Sequence, residues 1–331
     1  MFSHENVPAV SVVICTKDRN EDLTLAIASV KDLQYPPEKF EIVVVQETDD
    51  PQPMDGVEYV PIPRENRGVA YAHNIGVKHS NHNVVAFTDD DCLVEPDWLF
   101  ELVRPLDKPG GIVGVAGAVK VKDCNLIGYC ENVIGFPGGG VLYLHQSRGK
   151  PRDTRCLSTC NCAYYKDEIL AVGGFDERIR FSTDDYVLGQ AVSSRNRCLY
   201  NPAAAVYHKP RGSLRANFHW FVRRGRSEVE LFGINEHPGD LIRWMLRSSI
   251  TIKALFALFL LLILRLPLFL ILGLIPVYYS VIAFRFRFSY QYFNKSLGIL
   301  LLTPLVKMAM DSGMDSGRIL GLWQGLHRSE T

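Results

Sequence analysis

Three short runs of β-branched and apolar residues constrain this chain more than any other feature. Residues 10–15, 40–45 and 84–88 each read as a buried strand, and each leads straight into polar residues. Those polar clusters are 16–19, 46–50 and the triplet Asp89-Asp90-Asp91. Stretches of helical spacing lie between the runs. Residues 22–33 place Leu23, Ala26, Ile27 and Val30 on one face before Pro36-Pro37 stops them, and residues 69–79 form a second helix. This alternation predicts an α/β fold, a mainly parallel sheet covered by helices on both faces. In such sheets ligands sit beyond the carboxyl ends of the strands. The three polar clusters are therefore expected to converge on one crevice.

The chain has 331 residues, enough for one large domain with an appendage or for two domains. Its 36 basic and 36 acidic residues cancel, so the charge balance gives no reason to expect a nucleic-acid partner. The eight cysteines lack the paired CxxC spacing of a zinc ribbon. Cys156, Cys160 and Cys162 are the one tight group. They read as free, partly buried thiols, with a metal site or redox chemistry as alternatives, and reduced thiols suit a cytosolic domain. Residues 1–10 are polar and do not read as a signal peptide. The glycine-rich stretch 136–140 is a plain connection or a flap over a substrate.

Near residue 250 the composition changes. Residues 252–284 are almost continuously apolar, interrupted by Arg265, Pro267, Gly273 and Pro276. As one helix they would reach roughly 50 Å at 1.5 Å per residue, against about 30 Å for a bilayer core. Both flanks are basic, with Arg243, Arg247 and Lys253 before and Arg285 and Arg287 after. Basic flanks prefer the cytoplasmic side, which favours a hairpin or re-entrant element over a single crossing. Residues 297–310 form a second apolar segment. Residues 215–230 mix Phe218, Trp220 and Phe221 with Arg223, Arg224 and Arg226, as suits a helix at an anionic membrane surface or an ordinary packing helix. A buried helical subdomain is the alternative for the whole region. The expected division is a catalytic domain over 1–235 and a membrane-associated helical region over 236–331.

The acids define the chemistry. On a strand, Asp89 and Asp91 point to one side and Asp90 to the other. Two carboxylates in one crevice repel each other, and a hard divalent cation, Mg²⁺ or Mn²⁺, relieves them. Such a cation would also neutralise a departing diphosphate. A solvated acidic turn is the bland alternative. Asp184-Asp185 follows Gly173-Gly174-Phe175-Asp176-Glu177 and suits either proton transfer or the N-terminus of a helix, and these roles are compatible. His208 ends an expected last strand over 201–207. It is a third metal ligand or diphosphate contact, or a histidine packed at a strand end. Arg211 is a phosphate partner or a surface arginine.

Over roughly residues 9–212 these features resemble the family 2 glycosyltransferases, which have the GT-A fold. Residues 11–19, Ser-Val-Val-Ile-Cys-Thr-Lys-Asp-Arg, look like the family's opening strand and turn. Asn66-Arg67-Gly68 followed by Ala72-His73-Asn74-Ile75-Gly76 resembles its nucleotide-contacting stretch. Asp89-Asp90-Asp91 matches its DxD motif. Asn161-Cys162-Ala163 and then Gly173 to Glu177 resemble its acceptor-side segment, and Asp184-Asp185 stands at its acidic pair. The resemblance implies an inverting transfer from a nucleotide-diphosphate sugar, with Asp185, and beside it Asp184, as the catalytic acids. It implies donor contacts from Thr16, Arg19, Gln46, Glu47, Asn66, Gly68, His73, Asn74, Asp89 and Asp90. Asp91, Asp89 and His208 would hold the cation.

The sequence departs from the family pattern in three places. Gln46-Glu47 stand where the family carries an aspartate that binds the base, and His73 replaces an arginine. The Gln-x-x-Arg-Trp motif of processive synthases is missing, so one sugar is expected per encounter. The expected acceptor is a lipid-linked molecule, such as polyprenyl phosphate or a lipid-linked glycan, at the cell membrane, with the catalytic domain facing the cytoplasm. Two rival readings are a sugar nucleotidyltransferase and a non-catalytic membrane component of a glycan-assembly complex. Residues 16–19 lack the glycines of the first, and the intact acids speak against the second.

Overall fold

The computed structural model describes residues 7–234, 238–265, 267, 269–294 and 296–328. Two compact units result, Met1–Asp123 with Gly135–Lys209, and Cys124–Ile134 with Pro210–Thr331. The boundary expected between residues 235 and 236 lies outside the described residues, as does the polar stretch 1–6.

The first unit begins with β1 (Val10–Thr16), α1 (Asn20–Lys31), β2 (Phe40–Glu47), β3 (Glu58–Ile62) and α2 (Val69–His79). It continues through β4 (Val84–Asp89), β5 (Cys92–Val94), α3 (Trp98–Val103) and β6 (Ile112–Lys120). After α4 (Leu126–Ile134), which belongs to the second unit, come α5 (Gly140–Ser147), β7 (Arg152–Asp153) and β8 (Asn161–Tyr165). The unit closes with α6 (Lys166–Ala171), α7 (Asp184–Ser193) and β9 (Arg197–His208).

The described strands form one nine-stranded sheet in the order β3-β2-β1-β4-β8-β6-β9-β5, with β7 on β9. The half from β3 to β4 is parallel, as the alternation of strand and helix predicts. Beyond β4 the sheet is mixed, because β8 runs antiparallel to both β4 and β6 while β6 and β9 are parallel. Alternate strand residues feed two cores. Val12 and Ile14 join Leu23, Val30 and Trp98 on one face, and Val13 joins Val43, Val77 and Phe175 on the other. The GT-A-like α/β architecture is therefore present, with the sheet covered on both faces.

The second unit is helical: α4, then α8 (Leu214–Ile234), α9 (Pro238–Ser248), α10 (Ile250–Ile263), α11 (Leu270–Arg285), α12 (Ser289–Tyr292) and α13 (Leu297–Arg328). The apolar run 252–284 is not one long helix. It breaks after α10, at Leu264 and Arg265, and resumes as α11, leaving helices of 14 and 16 residues. Those lengths reach about 21 and 24 Å, each short of a bilayer core of about 30 Å. Ser249 separates α9 from α10, which meet at a bend of 75°. Among the described residues one helix, over Leu297–Gln324, is long and apolar enough to cross a membrane. The second apolar segment thus extends well past residue 310. α8 packs along α13 through glycines, where a Cβ at Gly317 would run into the Val222 carbonyl and one at Gly225 into that of Met314. Residues 215–230 therefore belong to a packing helix, with Phe221 buried.

Candidate active site

The register of the parallel half assembles one edge. Thr16 lies opposite Gln46 across β1 and β2, and Cys15 lies opposite Asp89 across β1 and β4. Asp89 ends β4, and Asp90 and Asp91 form the turn into β5. The triplet leaves the strand after its first acid, yet its carboxylates still diverge as a strand would direct them. Asp90 turns toward β1, where Thr16 Oγ1 donates to its Oδ2 at 2.7 Å. Arg19 Nη1 donates to Asp90 Oδ1 at 2.9 Å and to Asp91 Oδ2 at 2.6 Å, so one guanidinium ties the two acids together.

Asp89 and Asp91 face β9 instead. His208 Nε2 is 3.2 Å from Asp91 Oδ1 and 3.6 Å from Asp89 Oδ2. The other ring nitrogen, Nδ1, sits 2.8 Å from the Lys209 carbonyl. A carbonyl only accepts, so Nδ1 carries a proton. Nε2 meets the carboxylates through a proton, and a cation that displaces this proton would find the Nε2 lone pair of the Nδ1–H tautomer, the form that ligates a metal. One potential ligand atom from each of Asp89, Asp91, Cys92 and His208 lies within 4.8 Å of the others. Two carboxylates and an imidazole nitrogen fit a hard or borderline divalent cation. Cys92 was not among the residues singled out from the sequence.

The electrostatics match this geometry. Burial alone would raise the Asp89 carboxyl, but the hydrogen bond and charge of His208, with His73 and Arg19, hold it below the usual carboxylate range. Asp90 is pushed up to about 6, by burial and by the charges of Asp91 and Asp89 against the pull of Thr16 and Arg19. Burial, followed by the charges of Asp89, Asp184 and Asp90, pushes the Cys15 thiol near the end of β1 well up.

Asp184 and Asp185 open α7, where the helix dipole favours acids. Asp184 is buried, and its Oδ2 meets His73 Nδ1 at 3.0 Å. Asp185 is half-exposed, and its Oδ1 accepts from the Tyr186 backbone N–H at 2.7 Å. His73 is buried between the rings of Phe175, at 4.7 Å, and Phe87, at 5.6 Å. Of the residues expected to meet a donor, His73 is thus brought to the acid pair.

The remaining candidates fall into two groups. At the β2 end, Gln46 is buried, donating to Asn20 Oδ1 at 2.9 Å and accepting from the Tyr59 hydroxyl at 2.7 Å. Lys17 Nζ donates to Glu47 at 2.7 Å and to Asn66 Oδ1 at 3.0 Å, which gathers the loop after β1, the end of β2 and the loop before α2. Elsewhere Asn74 clamps the glycine loop before α7. Its Nδ2 donates to the Phe175 carbonyl at 2.9 Å and to Glu177 at 3.0 Å, and its Oδ1 accepts from Phe175 N at 2.8 Å. Gly68, with φ of 96°, lies so close to the Arg180 backbone that a side chain there would clash. An open cleft of about 410 Å³ is lined by Asn74, residues 172–177 and the first turns of α7.

Other sequence readings resolve structurally. Asn161 accepts from the Trp98 indole at 2.8 Å and donates to the Ala118 and Ala204 carbonyls at 2.9 Å, pinning β8 within the sheet. None of the eight cysteines is in a disulfide, and burial pushes the Cys160 and Cys162 thiols well above their ordinary range. Within the second unit, Arg211 is held by buried Glu131 and stacks over Trp220 at 4.0 Å. Residues 136–140 form a tight turn into α5, with Gly138, Gly139 and Gly140 at positive φ.

Residues 11–169 match the family described as Glycosyl transferase family 2. The glucosyl-dolichyl phosphate glucuronosyltransferase of Haloferax volcanii is 28% identical over 252 residues, covering 65% of this chain and 73% of that protein. An uncharacterized protein of Sinorhizobium fredii is 30% identical over 233 residues, which cover 63% of this chain but only 25% of that longer protein. Among solved structures, the mannosyltransferase PcManGT of Pyrobaculum calidifontis, in complex with GDP-Man and Mn²⁺, superposes with a TM-score of 0.64. The superposition covers 97% of this chain and 89% of that one at 17% identity, a likeness of fold.

Proposed function

The chain carries a family 2 glycosyltransferase domain, and from that premise we propose that it moves a sugar from a nucleotide-diphosphate donor to a lipid-linked acceptor at a membrane, with inversion and with a divalent cation. The observation that carries the reading is the meeting of Asp89, Asp91 and His208 Nε2 at one sheet edge, with the pair Asp184 and Asp185 opening α7 in the same unit.

In this reading Thr16, Arg19, Gln46, Glu47, Asn66, Gly68, His73, Asn74, Asp89 and Asp90 form or support the donor side. Arg19 fixes Asp90 and Asp91 so that their carboxylates do not swing apart. Lys17 holds Glu47 and Asn66 together where the nucleotide would enter. Asp89, Asp91 and His208 hold the cation, which when bound offsets the charge of the diphosphate. Asp185 accepts the proton of the acceptor hydroxyl as that oxygen attacks the sugar carbon opposite the diphosphate. Its exposure leaves it room to meet an acceptor, while buried Asp184 anchors the turn through His73. A single in-line displacement inverts the sugar carbon.

The lipid-linked acceptor and the membrane rest on two supports. The Haloferax relative is named for a dolichyl phosphate substrate. The second unit leaves Leu255, Phe256, Phe259, Leu272 and Phe284 more than half exposed, a surface that suits lipid. Basic residues flanking the apolar helices favour a cytoplasmic face for the catalytic unit. The region past residue 235 acts as the membrane-associated part of the chain.

Calorimetry with a panel of nucleotide sugars, with Mn²⁺ and with excess chelator, tests the donor side. One nucleotide sugar should bind with Mn²⁺ and lose most of its affinity in chelator. Full-strength binding in chelator would remove the metal from the account, and a panel without a binder would remove the donor.

A further inference from the structure

We propose that Cys92 supplies a fourth donor to the cation site and biases it toward thiophilic divalent ions; this rests on the reading that Asp89, Asp91 and His208 hold a cation. β5 is three residues long and antiparallel to β9, with Cys92 directly opposite His208. Opposed residues of a strand pair present their side chains on the same face. The next opposed pair on that face, Val94 and Val206, belongs to the hydrophobic core. The Cys92–His208 pair is therefore the last rung before the core gives way to the acids.

The distances suit ligation. The four candidate atoms lie within 4.8 Å of one another. Two donors on one ion sit at most about 4.4 Å apart, given bonds of about 2.0–2.3 Å, so a shift of a few tenths of an ångström closes the set. Cys92 is 1% exposed, so water does not compete for its sulfur. Its sulfur adds a soft donor at this rung. Ligation requires the cation to displace the thiol proton to solvent, because a metal-bound cysteine is a thiolate. Carboxylate and imidazole alone suit Mg²⁺ or Mn²⁺, and a thiolate shifts preference toward Co²⁺ or Zn²⁺.

Co²⁺ tests this through its absorption spectrum, on the purified full chain in detergent. A thiolate on Co²⁺ gives an intense near-ultraviolet charge-transfer band that carboxylate and imidazole do not. That band should appear at one equivalent, persist in Cys160→Ser and vanish in Cys92→Ser and Cys92→Ala. The weaker visible bands of bound Co²⁺ should remain in Cys92→Ser. The Co²⁺-to-Mg²⁺ affinity ratio should fall on the order of tenfold or more in that variant. Visible bands that Asp91→Asn removes, without the near-ultraviolet band, would overturn the role of Cys92 and leave the Asp89–Asp91–His208 reading standing. A near-ultraviolet band that survives Cys92→Ser would assign it to another thiol and equally overturn the proposal. No bound Co²⁺ at all would overturn both readings.

Discussion

In the first unit the apolar side chains are inside and the charges gather at the sheet edge, whereas the second unit reverses much of this. Val43, Val85 and Phe87 are at most 1% exposed in the first. In the second, Leu264, Phe269, Leu272 and Phe284 are 63–66% exposed, while Arg318, Asp315 and Glu228 are buried. On the proposed membrane reading, both patterns follow from one rule applied against different surroundings. A water-facing surface as apolar as that of α10 and α11 is an association site, whereas a lipid-facing one is satisfied. Buried charges, in turn, persist only as a bonded set. Arg318 donates to Glu228 Oε2 at 2.9 and 2.7 Å and to Asp315 Oδ1 at 3.0 Å. Asp315 Oδ2 also accepts from Ser249 Oγ at 2.8 Å and from Thr251 N at 3.0 Å.

The largest expected effect belongs to the first unit. Asp185→Asn should cost about two to four powers of ten in sugar transfer, as loss of a general base does. Asparagine keeps the shape but takes no proton at neutral pH. Donor affinity, read by calorimetry, should stay near that of the native protein, whereas Asp91→Asn should weaken it. Equal loss of donor affinity in both variants would place the acid pair in the metal site and end the division of labour between the two acid groups.

A charge deleted from the second unit should act on stability instead. Arg318→Met leaves Glu228 and Asp315 buried without their cation, at a cost of about 3–5 kcal/mol, visible as a lower melting temperature in detergent. A change under about 1 kcal/mol would mean that the network is wetter than its burial indicates. The smallest effect is expected at Ser249, whose Oγ accepts from Ile252 N at 3.0 Å and caps α10. Ser249→Ala should cost about 1 kcal/mol, measured in the same melts. No measurable change would separate the α10 cap from the buried network.

The sequence exposes most where local pattern and burial agree. The runs at 10–15, 40–45 and 84–88 became β1, β2 and β4, and residues 69–79 became α2. There a strand buried on both faces reads as a continuous apolar run, and the polar residue that follows marks its end. β8 was not legible as antiparallel, since direction leaves no trace in composition, and its insertion makes half the sheet mixed. Nor was α4 legible as part of the helical unit, because its tie to distant residues, such as the Cys130 thiol on the Ile299 carbonyl, is a long-range contact. Hydropathy stopped at residue 310 because Asp311, Asp315 and Arg318 follow, although α13 continues to Arg328 with Asp315 and Arg318 inside the packing. At the site, Asp89 and Asp91 were readable from the triplet. Cys92 was not, because only the β5–β9 register sets it opposite His208.

Transfer into lipid tests the union of the two units most directly. The purified full chain, a radiolabelled nucleotide sugar that it binds, Mn²⁺ and a membrane lipid extract should yield label in the organic phase, matched by released nucleoside diphosphate. Asp185→Asn and excess chelator should each abolish that label. Release of diphosphate with all label left in water would contradict the lipid acceptor, and organic label that survives both treatments would contradict the catalytic site.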